Sequence, residues 1–381
     1  MDNKRILIIS FSNLKNDSRV KRQINYLKKQ NKVLTMGLAD PEIEDVNFID
    51  ISFKLNKFHL LYTMFLSTIG LFEKSYWKQD QIKVAQKKIK SSNLENLDLI
   101  IANDIDSVPL ALSIKSNNTK IIFDAHEYSP LEHNDNLVWR IVFKKYKTYL
   151  IQKYAHLCDS MLTVCDGIVE EYKKVFQLQP IVITNACKFY DLKPSKTQDK
   201  IKMIHHGLSL PTRKIENMIL MMDEVDERFE LHLMLMQNNK SYYNKLEALI
   251  ATRNNVLLIP SVPTDEIVPF TNKYDIGLYI LEPTNFNNAN ALPNKFFEFI
   301  QSRLAIAIGP SPEMSKIIES NQIGVISSDF TPKSLAQQLN KLSISDIDRM
   351  KKNTDILANS LNADANMLIL KQEIQSLFTV E

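Results

Sequence analysis

The stretch YDIGLYILEPTNFNNANALPNKFFEFIQSRLAIAIG, residues 274–309, carries the architecture in miniature. YDIGLYIL (274–281) is a short apolar run of strand length, and LAIAIG (304–309) is another. Between them Phe296, Phe297, Phe299 and Ile300 recur at helical spacing and read as a core-facing stripe. Two apolar strands joined through a helix predict a parallel pair covered on both faces. Asn294 reads as the N-cap of that helix, its side chain satisfying one free N–H of the first turn. Lys295 and Glu298, three apart, share its polar face. That face is either a surface ion pair or an anion site at a helix start, with Glu298 placed to accept hydrogen bonds from hydroxyls. Taken alone, the stretch favours the ion pair.

The same alternation runs outward through the chain. KRILIIS (4–10), KVLTMGL (32–38), VNFIDIS (46–52), LDLIIAN (97–103), KIIFDAH (120–126), SMLTVC (160–165) and IVITNA (181–186) read as strands. Helical patterns separate most of them, including one long region over 58–92 and another over 135–157. The pattern restarts with IKMIHHG (201–207), FELHLMLM (229–236), NVLLIP (255–260), the two strands already quoted, and GVISS (324–328). Two such runs predict an α/β protein of two doubly wound parallel-sheet domains, 1–190 and 191–360. The polar segment KFYDLKPSKTQDK (188–200) marks the boundary. A last helix lies within 361–381. Ligands of open α/β sheets bind at the carboxyl ends of strands, so the expected site is the cleft between the domains.

Composition narrows the chemistry. The chain has 381 residues, 44% hydrophobic and 24% charged, with only 7 glycines. No G-x-G-x-x-G or G-x-x-x-x-G-K-[ST] occurs, so a phosphate would have to be held by helix starts and cationic side chains. The missing glycine fingerprint also argues against a nicotinamide dehydrogenase. Cys158, Cys165 and Cys187 form no C-x-x-C pair, which suggests a reducing compartment and no disulfide framework. There is no H-E-x-x-H, and MDNKRILIIS lacks a signal-peptide pattern, so a cytoplasmic location is expected.

The longest apolar stretch, FHLLYTMFLSTIGLF (58–72), is shorter than the roughly 20 residues a bilayer needs. It reads as a buried or interdomain helix, with an interfacial membrane contact as the lesser alternative. Residues 1–190 carry a formal charge of +6 and the remainder −3. RIVFKKYKTYLIQKY (140–154) concentrates cations and reads as a solvated face, with attraction to an anionic membrane surface or acceptor as the other reading. No nucleic-acid partner is expected.

The residues just past each strand hold the candidate chemistry. After the first come Asn16, Asp17, Ser18 and Arg19, where Asp17 reads as an N-cap and Arg19 and Arg22 face cleft or solvent, solvent being the commoner case. After LDLIIAN come Asp104 and Asp106. The D-x-D spacing admits a divalent metal, but Asp106 or Ser107 as cap of the helix containing Pro109 is the simpler reading. After KIIFD come His126, Glu127 and Tyr128, and a histidine delivered there is as well placed for function as for structure. In the second half, His205, His206 and Gly207 end a strand, and Arg213 and Lys214 open the next helix after Pro211. Gly207 lets backbone approach a ligand, and Arg213 can neutralise phosphate.

Taken in order, NDSRVKRQINYL, IIFDAHEYSP, HHGLSLPTRKIENMI, YDIGLYIL and ALPNKFFEFIQSRLAIAIGPSPEM resemble the GT-B glycosyltransferases, most closely the glycosyltransferase family 4 type, over nearly the whole chain. The resemblance implies two facing Rossmann-like domains, a nucleotide sugar held by the second, an acceptor presented by the first, and a C-terminal helix crossing back towards the first. It implies that Glu298 is the second carboxylate of the family's E-x7-E motif, holding the nucleotide ribose. Asn290 stands where the first carboxylate would be. Arg213 matches the diphosphate-binding cation, the usual second cation is missing, and Lys214 or Lys295 can substitute. His126 matches the histidine at the sugar-proximal edge. The expected binding set is therefore Gly207, Arg213, Lys214, Asn290, Ala291, Leu292, Asn294, Lys295 and Glu298, with His126, Arg213 and Glu298 catalytic and no metal or further cofactor. The implied activity is retaining sugar transfer from a UDP- or GDP-sugar to a glycan or lipid-linked acceptor, in bacterial cell-surface polysaccharide synthesis, with possible peripheral membrane contact at the inner face. The competing readings are a sugar-nucleotide epimerase on the same fold and a non-catalytic scaffold of a polysaccharide assembly complex.

Overall fold

The computed structural model describes residues 3–379 and divides into two compact units. Unit 1 comprises residues up to Thr184, Asn285–Asn287 and the chain from Met367 on, and unit 2 comprises Asn185–Thr284 and Asn288–Asn366. The division thus falls at Thr184, ahead of the polar segment at 188–200.

Unit 1 is built on strands β1 (Arg5–Ile9), β2 (Lys32–Gly37), β3 (Asn47–Asp50), β4 (Leu99–Asn103), β5 (Lys120–Asp124), β6 (Ser160–Thr163) and β7 (Ile181–Val182). They form one seven-stranded sheet in the order β3-β2-β1-β4-β5-β6-β7, every pairing parallel. Strand order reverses between β1 and β4, the place where doubly wound sheets open a crevice. The helix Ser18–Leu27 packs Val20, Ile24 and Leu27, spaced one helical turn apart, onto Ile6, Ile8 and Ile101. Asp17 caps it, as its sequence predicts, accepting from the Val20 N–H at 3.1 Å. Met367, Leu370 and Ile374 of the final helix, Ala363–Thr379, complete the same core.

The long helical region and the long helix that the sequence predicts are both subdivided. The region 58–92 is three helices, Lys57–Thr68, Phe72–Lys78 and Asp80–Ser91, because Gly70 takes a left-handed φ of 81° and Gln79 is extended. The region 135–157 begins with a π-helical turn at Trp139–Phe143 before the α-helix Lys144–Tyr154. The apolar stretch 58–72 is not the buried helix its composition predicts. Thr63, Leu66 and Ser67 are buried, whereas Phe58, Leu61, Phe65 and Ile69 face solvent.

Unit 2 repeats the plan with β8 (Ile201–Leu208), β9 (Phe229–Met236), β10 (Val256–Ile259), β11 (Ile276–Tyr279), β12 (Ala305–Ile308) and β13 (Gly324–Ile326). The order is β10-β9-β8-β11-β12-β13, again wholly parallel. Its core joins Met203, Leu231, Leu233, Ile276 and Leu278 to Ile219, Leu246 and Leu335 from the covering helices. The reversal lies between β8 and β11, which pair only at Ile276–Met203 and Gly277–Ile204 before β8 runs on to Leu208. His205, His206 and Gly207 stay paired with β9 but run past the last β11 pairing, at the switch point.

Gly277 sets how closely the Asn294–Gln301 helix approaches. A Cβ at Gly277 would lie 2.3 Å from Cγ of Phe299, deep inside van der Waals contact. Gly277→Ala is expected to cost about 1–3 kcal/mol through overpacking, read as a lower urea midpoint at unchanged slope.

Candidate functional site

The site in unit 2 begins with Asn294–Gln301. Asn294 is not the cap its sequence suggests. Pro293 holds the N-cap position with extended backbone (φ −72°, ψ 152°), Asn294 is the first helical residue, and no side chain caps the turn. The Pro293 carbonyl accepts from the Phe296 N–H at 2.9 Å, which fixes the helix start one residue earlier than Asn294 could cap. The amides of residues 294 and 295 gain no side-chain cap, while the Phe296 amide is bonded back to Pro293.

Lys295 sits one residue into this helix and is 6% exposed. Its Nζ lies 3.3 Å from Nε2 of His205 and 5.0 Å from the ring centre of Tyr279. His205 Nδ1 is 2.8 Å from the Leu278 carbonyl, so Nδ1 carries the proton and Nε2 offers its lone pair to Lys295. Burial and then Lys295 push the His205 pKa well below 6.5, in keeping with a neutral ring.

Arg213 approaches from the turn after β8. A Cβ at Gly207, whose φ is +132°, would lie 3.2 Å from Lys295 Nζ and 3.5 Å from Arg213 Nη1. Both cations thus converge over a residue with no side chain. Among the described residues neither forms a salt bridge. Burial and then Arg213 push the Lys295 pKa well below 10.5, with Glu298 pulling the other way. A surface ion pair is therefore not what this helix face provides.

Glu298 stands one turn on, with Oε2 3.4 Å from Nε2 of His206. That His206 nitrogen is buried and has no hydrogen-bond partner among the described residues. Burial and then Lys295 bring the His206 pKa down to about 3, so the ring is neutral at physiological pH. Lys214 departs from the group: it takes a left-handed φ of 42° and pairs with Glu282 at 2.5 Å on the exposed side. Asn290, Ala291 and Leu292 lead into the helix, Leu292 buried and the other two half-buried.

A second cluster lies at the strand ends of unit 1. Arg19 is not solvent-facing. It is buried and grips Asp124 with Nε at 2.9 Å and Nη2 at 2.7 Å, while Nη1 donates to the Ile183 carbonyl at 2.7 Å. Gln23 adds a donor to Asp124 at 2.5 Å. Burial alone would raise the Asp124 pKa; Arg19 and then His126 override it and hold the carboxyl well below its usual range. His126 lies 3.7 Å from Asp124, 3.8 Å from Asp104, and 3.1 Å from the Asn103 side-chain oxygen. Burial opposes its charge, but Asp104 and then Asp124 prevail and raise its pKa to about 9.

Glu127 contacts Asn287, whose amide nitrogen donates at 3.0 Å. Loss of hydration, then Glu132 and Asp104, push the Glu127 carboxyl up to about 7. Asp104 and Asp106 have separate partners, His126 for the first and Lys147 for the second. Ser107 holds the N-cap position before Val108–Ser113 without capping it; its hydroxyl donates instead to the Asn103 and Asp104 carbonyls.

The sequence brought out Arg213, Gly207, Lys295, Glu298 and His126. It missed the work of Arg19, His205, Tyr279 and Asn287, whose partners are 105, 90, 16 and 160 residues away. The signals were the doubled His205-His206 at a strand end and the cleft alternative for Arg19.

No protein-family model matches the chain, and no curated protein sequence does. Solved structures do. Sucrose-phosphate synthase from Thermosynechococcus elongatus is similar with a TM-score of 0.73 at 11% identity, covering 100% of both chains. A glycosyltransferase from Rickettsia africae gives 0.71 at 12%, again over 100% of both. Anabaena HepE in complex with UDP gives 0.70 at 12%, covering 98% of this chain and 100% of that one. The fold is GT-B. At these identities the likeness is one of fold, and chemistry must be argued from side chains.

The His126 cluster makes a pH prediction. A folded-state pKa near 9 against 6.5 unfolded means its stabilisation is complete below about pH 6.5 and lost as pH rises through about 9. With Asp104 half-exposed, the effect is on the order of 1–2 kcal/mol. Urea unfolding of wild type should weaken across this window, and His126→Asn should flatten that component.

Proposed function

We propose that the protein transfers a sugar from a nucleoside-diphosphate sugar to a hydroxyl acceptor. The observation that carries the reading is the pair Lys295 and Arg213, converging over Gly207 beside an uncapped helix start. A buried lysine with its pKa driven down, next to a guanidinium, is a place whose electrostatics favour an anion. A diphosphate supplies it. Glu298 then accepts from ribose hydroxyls, and the orphaned His206 Nε2 beside it offers a lone pair or a proton to the same ligand.

The chemistry follows from charge. As the bond from the anomeric carbon to the diphosphate oxygen breaks, negative charge grows on the leaving group. Lys295, Arg213 and the amides at residues 294–295 stabilise that charge more than they stabilise the intact donor. Fixed cations at this position perform the role a metal ion would otherwise have, so we propose metal-independent transfer. We place the donor, a UDP- or GDP-sugar, on unit 2 and the acceptor on unit 1. There His126, protonated at neutral pH, donates to a sugar or acceptor oxygen. Glu127, poised near neutrality, can exchange a proton with the incoming hydroxyl. Retention of anomeric configuration, a glycan or lipid-linked acceptor, and a role in cell-surface polysaccharide synthesis complete the reading. Asn290 in place of a carboxylate leaves the sugar end of the donor site with a neutral hydrogen-bonding group.

Two measurements test it. UDP or GDP should raise the apparent melting temperature, and Arg213→Ala and Glu298→Ala should each abolish transfer, with at least a tenfold loss of nucleotide affinity for Arg213→Ala. Near-wild-type turnover in folded Arg213→Ala would remove the diphosphate role. Diphosphate binding should also raise the depressed Lys295 pKa, so calorimetry in buffers of different ionisation enthalpy should show net proton uptake, absent in Lys295→Met.

A further inference from the structure

Unit 1 holds a cavity that the strand-end chemistry does not use. It has a volume of about 220 Å³ and lies between the Lys57–Thr68 helix and the Trp139–Phe143 turn with its following helix. This exceeds the roughly 150 Å³ that accommodates benzene in an engineered apolar cavity. Leu60, Met64, Trp139, Phe143 and Tyr146 give it apolar walls.

Its polar groups are occupied with one another. His59 pairs with Asp80 at 2.5 Å, Gln79 donates to the Tyr146 hydroxyl at 2.6 Å, and the Ser67 and Ser75 hydroxyls meet at 2.8 Å. Lys147 pairs with Asp106 at the end nearest the strand cluster, where Asp104 faces His126. Most of these polar groups are paired with one another, and the remaining wall is Leu60, Met64, Trp139, Phe143 and the Tyr146 ring, so the space favours hydrocarbon.

The outer side of the same wall is apolar too. Phe58, Leu61 and Phe65 are 84%, 62% and 58% exposed, and Leu137 and Ile141 are 61% and 54% exposed. The two segments carrying them pack together. A helix that turns large apolar side chains to water calls for an apolar medium on that face. Lys54, Lys57, Arg140, Lys144 and Lys145 are exposed beside it and no Asp or Glu occurs over 51–72 or 136–158; of the nearby carboxylates Asp80 is paired with His59 and Glu73 with Lys153, while Asp50 and Asp135 flank the segments. Apolar side chains ringed by cations match an anionic bilayer surface. Among the described residues no helix is long and apolar enough to cross a membrane, so the contact is interfacial.

We propose that this cavity receives the hydrocarbon segment of an amphiphilic acceptor presented at an anionic bilayer, with the Phe58–Phe65 stripe resting on that bilayer. Calling the ligand an acceptor rests on the transfer reading above; the cavity and the stripe do not. The arrangement would leave the acceptor's polar end beside Lys147 and Asp106, next to the His126 cluster.

The test uses the full chain carrying Trp77→Phe, so that Trp139 is its one tryptophan. Bromo-octanol, without vesicles, should quench Trp139 fluorescence saturably, and Leu60→Asp should abolish that quenching. The protein should cosediment with phosphatidylcholine vesicles containing phosphatidylglycerol, less so at high salt. Phe58→Asp with Phe65→Asp should weaken cosedimentation at least about tenfold. The UDP-induced thermal shift should persist in both variants, showing that they remain folded. Unsaturable quenching, or quenching unchanged by Leu60→Asp, would overturn the cavity assignment. Vesicle binding absent, or indifferent to the paired aspartates, would overturn the bilayer. Intact quenching without any nucleotide-induced shift would instead overturn the transfer reading.

Discussion

The arrangement in unit 2 depends on keeping the Lys295 amine out of water with no salt bridge among the described residues and only the weaker pull of Glu298. Lys295 has a neutral imidazole on one side, an aromatic ring on another and a guanidinium nearby. Burial and then the guanidinium disfavour its charged form. Burying a charge in this way is costly, and folded proteins tolerate it where binding or chemistry later repays the cost. The surrounding fold is what makes the tolerance possible. Gly277 admits Phe299, Phe299 seats the helix, and the helix carries Lys295 over Gly207.

Unit 1 solves a different electrostatic problem. There the buried carboxylate of Asp124 is fully compensated by Arg19 and Gln23, and the compensated pair orients His126. The histidine keeps its proton because two carboxylates outweigh its loss of hydration. One unit thus holds a buried lysine and a guanidinium side by side, and the other holds a proton donor beside a carboxyl group near its titration point. The two sites share a location in their folds, since both sit where strand order reverses in a parallel sheet.

Much of the fold was legible in the chain. Twelve of the thirteen strands among the described residues fall within runs that the sequence marks, and β8 extends one residue past its run to Leu208; the central strands are buried and so apolar along most of their length. Helix breaks were not legible. Gly70 and Gln79 interrupt a pattern whose apolar period continues through them, and the π turn at Trp139 leaves no mark in composition. The exposure of Phe58 and Phe65 ran against the usual fate of such residues, and only their surroundings in three dimensions reveal it.

The sequence by itself determined the two parallel sheets, the position of each strand end, and therefore the residues delivered there: His126, Gly207, Arg213 and Glu298. Local chemistry suffices for that, since periodicity and strand-end position are properties of neighbouring residues. Tertiary structure alone decided which of them act together. It withdrew Lys214 to Glu282, shifted the helix cap from Asn294 to Pro293, sank Arg19 onto Asp124, and placed His205 against Lys295. Those outcomes turn on packing and desolvation between groups far apart in the chain, and a one-dimensional pattern contains no term for either.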